Sequence, residues 1–177
     1  MSVYAASKIS GELMAECYAH LYRIPVTGLR FFTVYGPWGR PDMAPMIFIR
    51  KMLAGEPIQV FNYGNMKRDF TYIDDIVAGV MSSLDQPPSD DGSETPSIVY
   101  NLGNNRGEEL MSFVAAIERE LGVEAEIEYI PMQPGDVQET LADIEKSRAE
   151  LGFEPRVSID EGVVKLVAWY NDYYRLV

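Results

Sequence analysis

The chain carries a single cysteine, Cys17, and a single histidine, His20, in 177 residues. One thiol cannot close an internal disulfide, which fits a reducing, cytoplasmic setting, and on a helix face Cys17 reads as a small core residue. With no further Cys or His beside them, these two offer no metal-ligand cluster, and no metal is expected. No apolar run approaches the ~20 residues of a membrane span, and no signal-peptide pattern is present. Basic residues are scarce too: 15 Lys and Arg stand against 27 Asp and Glu, a net charge of −12. Such a surface repels nucleic acid and anionic membranes, so neither is expected as a partner. A small anion sees only local charge, and Arg40, Lys67 and Arg68 supply some. No Gly-x-Gly-x-x-Gly turn occurs either; Gly103-Asn-Asn-Arg-Gly107 has glycines at the wrong spacing and reads as a turn into a helix.

What the chain does have is an apolar share of 47%, enough for the core of one domain or part of a larger one. Its patterns alternate. A helix is expected over roughly 3–23, where Ile9, Leu13, Cys17 and Leu21 recur at helical intervals up to Pro25, then a strand over Val26–Phe32. A Gly/Pro-rich loop follows at Val34–Pro45, a helix near Met46–Ala54, and short extended segments near Ile58–Phe61 and Arg68–Tyr72. The next helix starts at Asp74 or Asp75, which suit its N-terminus as caps. The polar, Pro-rich stretch over 86–97 reads as a mobile loop. Beyond it come a strand at Ser97–Leu102, a helix near Leu110–Leu121, a strand at Ala125–Ile130, and helices near Ile144–Leu151 and Ile159–Arg175. The aromatics between Trp169 and Tyr174 are expected to pack that last helix. Alternating strands and helices predict an α/β architecture.

Tyr4-Ala-Ala-Ser-Lys8 opens the first helix. Four apart, the two side chains share one face. A neighbouring ammonium favours the phenolate, which makes the tyrosine a usable proton-transfer group. The same spacing at Tyr63 and Lys67 is interrupted by Gly64 and Asn65, so no helix joins them. On residues alone, Tyr4 and Lys8 are equally an aromatic and a lysine on an amphipathic helix.

Longer motifs follow in order: Gly28-Leu-Arg-Phe-Phe-Thr-Val-Tyr-Gly-Pro-Trp-Gly-Arg-Pro-Asp42, Phe61-Asn-Tyr-Gly-Asn-Met-Lys-Arg-Asp-Phe-Thr-Tyr-Ile-Asp-Asp75, Tyr100-Asn-Leu-Gly103 and Pro134-Gly-Asp136. With the Tyr/Lys pair they resemble the extended short-chain dehydrogenase/reductase family, the NAD-dependent epimerases and dehydratases, and within it the UDP-glucuronate 4-epimerases. The resemblance covers essentially the whole chain but only the C-terminal half or so of the family's usual length. It implies an NAD cofactor, a UDP-sugar substrate and a homodimer in the full-length family. It assigns the base that deprotonates the sugar 4-hydroxyl to Tyr4, and contact with the nicotinamide ribose to Lys8. Phe32 would lie near the nicotinamide and Thr33 in the sugar–diphosphate pocket. Arg40 would meet the substrate carboxylate, Arg68 the diphosphate and Asp136 the uridine ribose. The family's third catalytic member, a Ser or Thr, lies upstream of the tyrosine; Ser2 is too close in sequence to be it.

Each of these residues also has a plainer reading. Thr33 suits any strand, Arg40 any solvated loop, Arg68 an ion pair with Asp69, and Asp136 a turn after Pro-Gly. The resemblance implies the C-terminal part of an extended short-chain dehydrogenase/reductase fold: the end of a Rossmann-type parallel sheet plus a smaller α/β substrate-binding domain. Residues 1–35 would be the residual end of the NAD-binding domain, and 36–177 mainly the substrate-binding region, with segments returning to the sheet. The function expected is NAD-dependent 4-epimerisation of UDP-glucuronate to UDP-galacturonate through a 4-keto intermediate, in an N-terminally truncated chain. Three alternatives stand beside it: an inactive sugar-nucleotide-binding fragment, a related NAD-dependent dehydratase or decarboxylase, and a half-enzyme completed by a separate polypeptide.

Overall fold

The protein was analysed as a computed structural model in which residues 2–175 are described. Helix α1 (Val3–Tyr22) begins where Ser2 accepts the Ala5 N–H on its hydroxyl at 3.1 Å, and ends at Arg23 in the left-handed region. Ser2 is therefore a helix cap. Strand β1 (Val26–Phe31) pairs in parallel with β6 (Ser97–Leu102), from Val26 opposite Ser97 to Phe31 opposite Leu102. Then the chain changes partners within one residue. Phe32 still donates its N–H to Leu102, whereas Thr33 donates to the Asp69 carbonyl, and β2 (Thr33–Tyr35) runs parallel to β5 (Phe70–Tyr72). The expected loop over 34–45 thus opens as a strand, because its first residues find a distant partner.

Helix α2 (Ala44–Ala54) follows, then β3 (Ile58–Val60), β4 (Lys67–Arg68), β5 and α3 (Ile73–Asp85). Between β3 and β4, Asn62, Tyr63 and Gly64 all take positive φ, so Tyr63 and Lys67 share no helical face. After β6 come β7 (Glu108–Glu109), antiparallel to β4, and α4 (Leu110–Leu121). Strand β8 (Ile127–Tyr129), parallel to β3, is followed by α5 (Glu145–Leu151) and α6 (Ile159–Tyr174). Ser158 and Glu161 form a reciprocal capping box at the start of α6. Asp74 and Asp75 lie in the first turn of α3 but do not cap it; Asp75 instead accepts the Val157 N–H at 3.0 Å, and Asp74 pairs with Lys165 at 3.7 Å.

Two apolar clusters form. One gathers Tyr35, Ile49, Phe70, Phe113, Ile117 and Leu166, with the Phe70 and Phe113 rings stacked 4.2 Å apart. The other joins Ile76, Tyr100, Leu102, Ile144 and Phe153, with Phe32 and Val34 against it. Helix α1 belongs to neither, and Ala19 is its one buried side chain. Leu13, Tyr18 and Leu21 are more than half exposed, and Cys17 is exposed rather than in the core. Periodicity identified the helix correctly, but Cys17, expected as a small core residue, lies on an uncovered face.

Asp69 ties these parts together. It is fully buried, and its two carboxylate oxygens accept the Thr71 hydroxyl (3.0 Å) and the N–H groups of Asn104 (2.6 Å), Asn105 (3.0 Å) and Ala142 (3.0 Å). Arg68 does not pair with it. A Cβ on Gly103 would stand 2.4 Å from the Ala142 Cβ, so the loop closes on Asp69 only with glycine there. Asp69→Ala leaves three N–H groups without their acceptor and is expected to destabilise the fold by about 3 kcal/mol or more, measured by urea denaturation. A second outcome follows from the open face of α1: the 177-residue chain should self-associate in light scattering, and Leu13→Lys with Leu21→Lys should reduce that.

Candidate functional site

The change of sheet at Phe32 sets Thr33, the first residue of β2, just beyond the carboxyl end of β1, the end at which parallel α/β sheets present ligand sites. A cleft of about 580 Å³ lies there, within the range of small-molecule sites. Thr33 and Phe70 come from the β2–β5 pair, Met43, Ala44 and Ile47 from the start of α2, and Phe61, Met66 and Leu110 add apolar wall. Arg68 and Asp136 bring charge into the same wall, as do Asp42, Arg50 and Lys51.

Arg68 is mostly buried, with 15% of its side chain exposed. Its Nη1 donates to the carbonyls of Lys67 (2.8 Å) and Gln138 (3.1 Å), and its Nη2 donates to Asp136 Oδ1 (3.0 Å). Asp136 also accepts the Val137 N–H at 2.8 Å. Two residues 68 positions apart in sequence are therefore one ion pair in the cleft wall.

Arg40 is exposed on the loop before α2 and donates from Nε and Nη2 to the two oxygens of Asp42, at 3.0 and 2.6 Å. That hydrogen-bonded pairing raises the Arg40 pKa above its ordinary value, with Tyr4 a further, smaller contributor, and lowers that of Asp42. Asp42, not Arg40, forms part of the cleft lining. The loop is set by Gly36 at φ +142° and by Trp38, whose ring meets Trp169 (5.5 Å) and Tyr173 (5.1 Å) on α6. The aromatics of α6 thus pack that helix and also anchor the loop of Arg40.

Thr33 faces a second depression of about 540 Å³, shared with Arg30, Phe32, Asn101 and Thr140. Tyr4 and Lys8 line a separate groove of about 770 Å³ between α1 and β1, with the Lys8 ammonium 5.2 Å from the Tyr4 ring centroid. On the same groove Glu12 accepts two hydrogen bonds from Arg30, at 2.7 and 2.6 Å. That pairing lowers the Glu12 pKa and raises the Arg30 pKa. The seven expected site residues therefore divide. Thr33, Arg68 and Asp136 share the main cleft, Phe32 and Thr33 its neighbour, Tyr4 and Lys8 the α1 groove, and Arg40 reaches the cleft through Asp42.

Sequence reading missed Asp42, Arg50, Lys51 and Gln59 in the lining. Only the adjacent cations Arg50-Lys51 gave a signal, and Lys51 donates to the Pro57 carbonyl at 2.9 Å. Among the described residues, no three His, Cys, Asp or Glu side chains gather as metal ligands, and no helix is long and apolar enough to cross a membrane. The fit to a dinucleotide is partial. Tyr4 and Lys8 offer a phenol and an ammonium to one groove, but a pyrophosphate needs free backbone N–H groups on a glycine loop. The loop at Gly103 directs the N–H groups of Asn104 and Asn105 at Asp69 instead.

Fold and site together define an α/β protein with a charged cleft beside short parallel strands. Residues 1–103 match the model of the NAD dependent epimerase/dehydratase family, and the chain belongs to that family. It is 50% identical over 186 residues to Protein CapI of Staphylococcus aureus, covering 99% of this chain and 56% of that protein. To the "Probable UDP-glucuronate 4-epimerase" of Rhizobium meliloti it is 45% identical over 187 residues, covering 99% of this chain and 55% of that protein. The crystal structure of UDP-glucuronic acid 4-epimerase from Bacillus cereus, in complex with UDP-glucuronic acid and NAD, superposes with a TM-score of 0.86 at 32% identity. That match covers 97% of this chain and 53% of the crystallised one. The chain spans about half the length of the curated relatives it matches. Its architecture is accordingly that of extended short-chain dehydrogenase/reductase epimerases over about half their length.

Gly36 is where the loop is most sensitive. A Cβ there would lie 2.4 Å from Ile73 Cγ2, at a φ that other residues rarely adopt. Gly36→Ala is expected to cost about 2 kcal/mol or more, read as a lowered thermal midpoint.

Proposed function

We propose that this chain is the tyrosine-bearing and substrate-binding part of an NAD-dependent UDP-glucuronate 4-epimerase. Residues 1–35 would belong to the cofactor-binding region and most of 36–177 to the substrate region. The observation that carries the reading is the cleft itself, where folding brings Thr33, Arg68 and Asp136 to one wall beside the loop of Arg40 and Asp42. Those are the positions at which the motifs of this family place contacts to sugar, diphosphate, ribose and carboxylate.

In this reading the Tyr4 oxygen takes the proton of the sugar 4-hydroxyl, and Lys8 holds the phenolate form by its positive charge. NAD, when bound, supplies acceptor and donor for the C4 hydride. The ketone then turns its other face, so that the hydride returned to C4 leaves it with inverted configuration, and Tyr4 gives the proton back to the oxygen. A 4-keto uronic acid is a β-keto acid and can lose carbon dioxide, so the carboxylate has to be held. Arg40 does this with a planar fork of charge-assisted bonds. Arg68 faces the diphosphate. Because its Nη1 is already engaged by two carbonyls, the phosphate oxygens take the place of Asp136 on Nη2, which frees Asp136 for the ribose hydroxyls. The exposed apolar face of α1 supports pairing with a second copy.

The Gly103 loop directs its N–H groups at Asp69 and not at a dinucleotide, so we infer that the 177 residues alone bind the nucleotide sugar in the cleft without turning it over. Isothermal titration of the chain should show UDP binding, no NAD binding, and at least a tenfold loss of UDP affinity in Arg68→Ala, since a charge-assisted contact is lost. Absence of UDP binding, or an Arg68→Ala variant that binds as well as the parent, would refute the assignment of the cleft. Epimerisation by the purified chain would refute the inference that it is inactive alone.

A further inference from the structure

We propose that Asp42 is the positioning residue that makes this site prefer a sugar carrying a carboxylate. The proposal rests on the reading of the cleft as a UDP-glucuronate site. Arginine has five N–H donors arranged as two forks on one plane. Asp42 takes the fork formed by Nε and Nη2, at 3.0 and 2.6 Å. Both hydrogens of Nη1 and the second of Nη2 remain, and one hydrogen from each of these nitrogens forms a fork of similar shape on the adjacent edge. With 72% of the Arg40 side chain and 64% of that of Asp42 exposed, the second fork is open to a ligand.

The backbone around the pair is set. Gly39 donates to the Gly36 carbonyl (3.2 Å) and Met43 to the Arg40 carbonyl (3.1 Å), so a turn closes on each side of Arg40. Asp42 itself contributes to the cleft wall, immediately before Met43, the cap position of α2. One carboxylate of the protein thus orients the guanidinium, and the free edge presents itself to a second carboxylate. Without Asp42, a long side chain of many rotamers would lose entropy on every binding event, which weakens the contact.

The sign of the effect separates positioning from simple electrostatics. Removing Asp42 removes a negative charge near a negative ligand. Coulomb's law alone then predicts a stronger preference for the uronate. Positioning predicts a weaker one.

The test is the ratio of affinities for UDP-glucuronate and UDP-glucose, measured by isothermal titration on the chain and on its Asp42→Ala and Asp42→Asn variants. The two ligands share the nucleotide, so any general change in the cleft cancels in the ratio, and UDP-glucose binding reports that a variant is folded. A preference for UDP-glucuronate is expected in the parent. It should fall about fivefold in Asp42→Ala, as one oriented ion contact is lost, and less in Asp42→Asn, which keeps one acceptor oxygen. A ratio that is unchanged or raised in both variants overturns the proposal. A parent that binds both sugars equally overturns it as well, through Arg40. A parent that binds neither removes the underlying reading of the cleft instead.

Discussion

One buried carboxylate fixes the relation among the strands that carry the cleft. Asp69 receives donors from β5, from the loop after β6 and from Ala142, while its backbone carbonyl accepts the Thr33 N–H. Its own N–H donates to the Thr140 hydroxyl at 3.2 Å. An anion taken out of water is tolerable only when its lone pairs are met, and breaking such an arrangement from one side is far more damaging than replacing it whole. Thr33 and Arg68 each lie next to an Asp69 contact in the chain or across the sheet. The segment of Asp136 is pinned at Thr140 and Ala142. Site residues distant in sequence therefore share one reference point.

The electrostatics of the cleft follow from pairs rather than from net charge. A chain with a charge of −12 repels anions at long range, yet within a Debye length only local groups matter. Arg68 is held by Asp136 and Arg40 by Asp42, so each cation is placed by an acid that satisfies part of its donor set. The two pairs differ in depth. Arg68 is largely buried and Arg40 largely exposed, so the first guanidinium is fixed in the cleft wall and the second stays open to solvent.

Much of the fold was legible because its signals are local. Ser158 three residues before Glu161 announces α6, apolar spacing announces α4, and β1 and β6 carry β-branched and aromatic residues that follow Pro25 and Pro96. The misses share a cause. β2 is three residues long and exists through its pairing with β5, and β7 is two residues paired with β4. Asp69 reads as a neighbour of Arg68, but its partners lie 35 to 73 residues away apart from Thr71. The Gly103 loop looked like a failed phosphate loop. It is a backbone anion cradle whose anion is internal. Motif order named Thr33, Arg68 and Asp136, which folding gathers on one cleft, whereas Asp42 emerged only from the geometry of Arg40.

The cleft and the Tyr4–Lys8 pair lie on differently supported parts of this chain, and their stability differs accordingly. The cleft is built on two apolar clusters and the Asp69 network, so its geometry follows from folding of the region around them. Tyr4 and Lys8 stand on a helix with a single buried side chain, held to the rest through β1 and β6 and a few polar contacts. A helix of that length gains most of its stability in proteins from packing an apolar face. The orientation of the Tyr4 hydroxyl is thus under weaker control than that of Arg68. Catalysis asks for placement within a fraction of an ångström, whereas binding a flexible nucleotide sugar does not. On the proposed reading, affinity for a nucleotide sugar is accordingly a property of the cleft, while turnover depends on how firmly α1 is held.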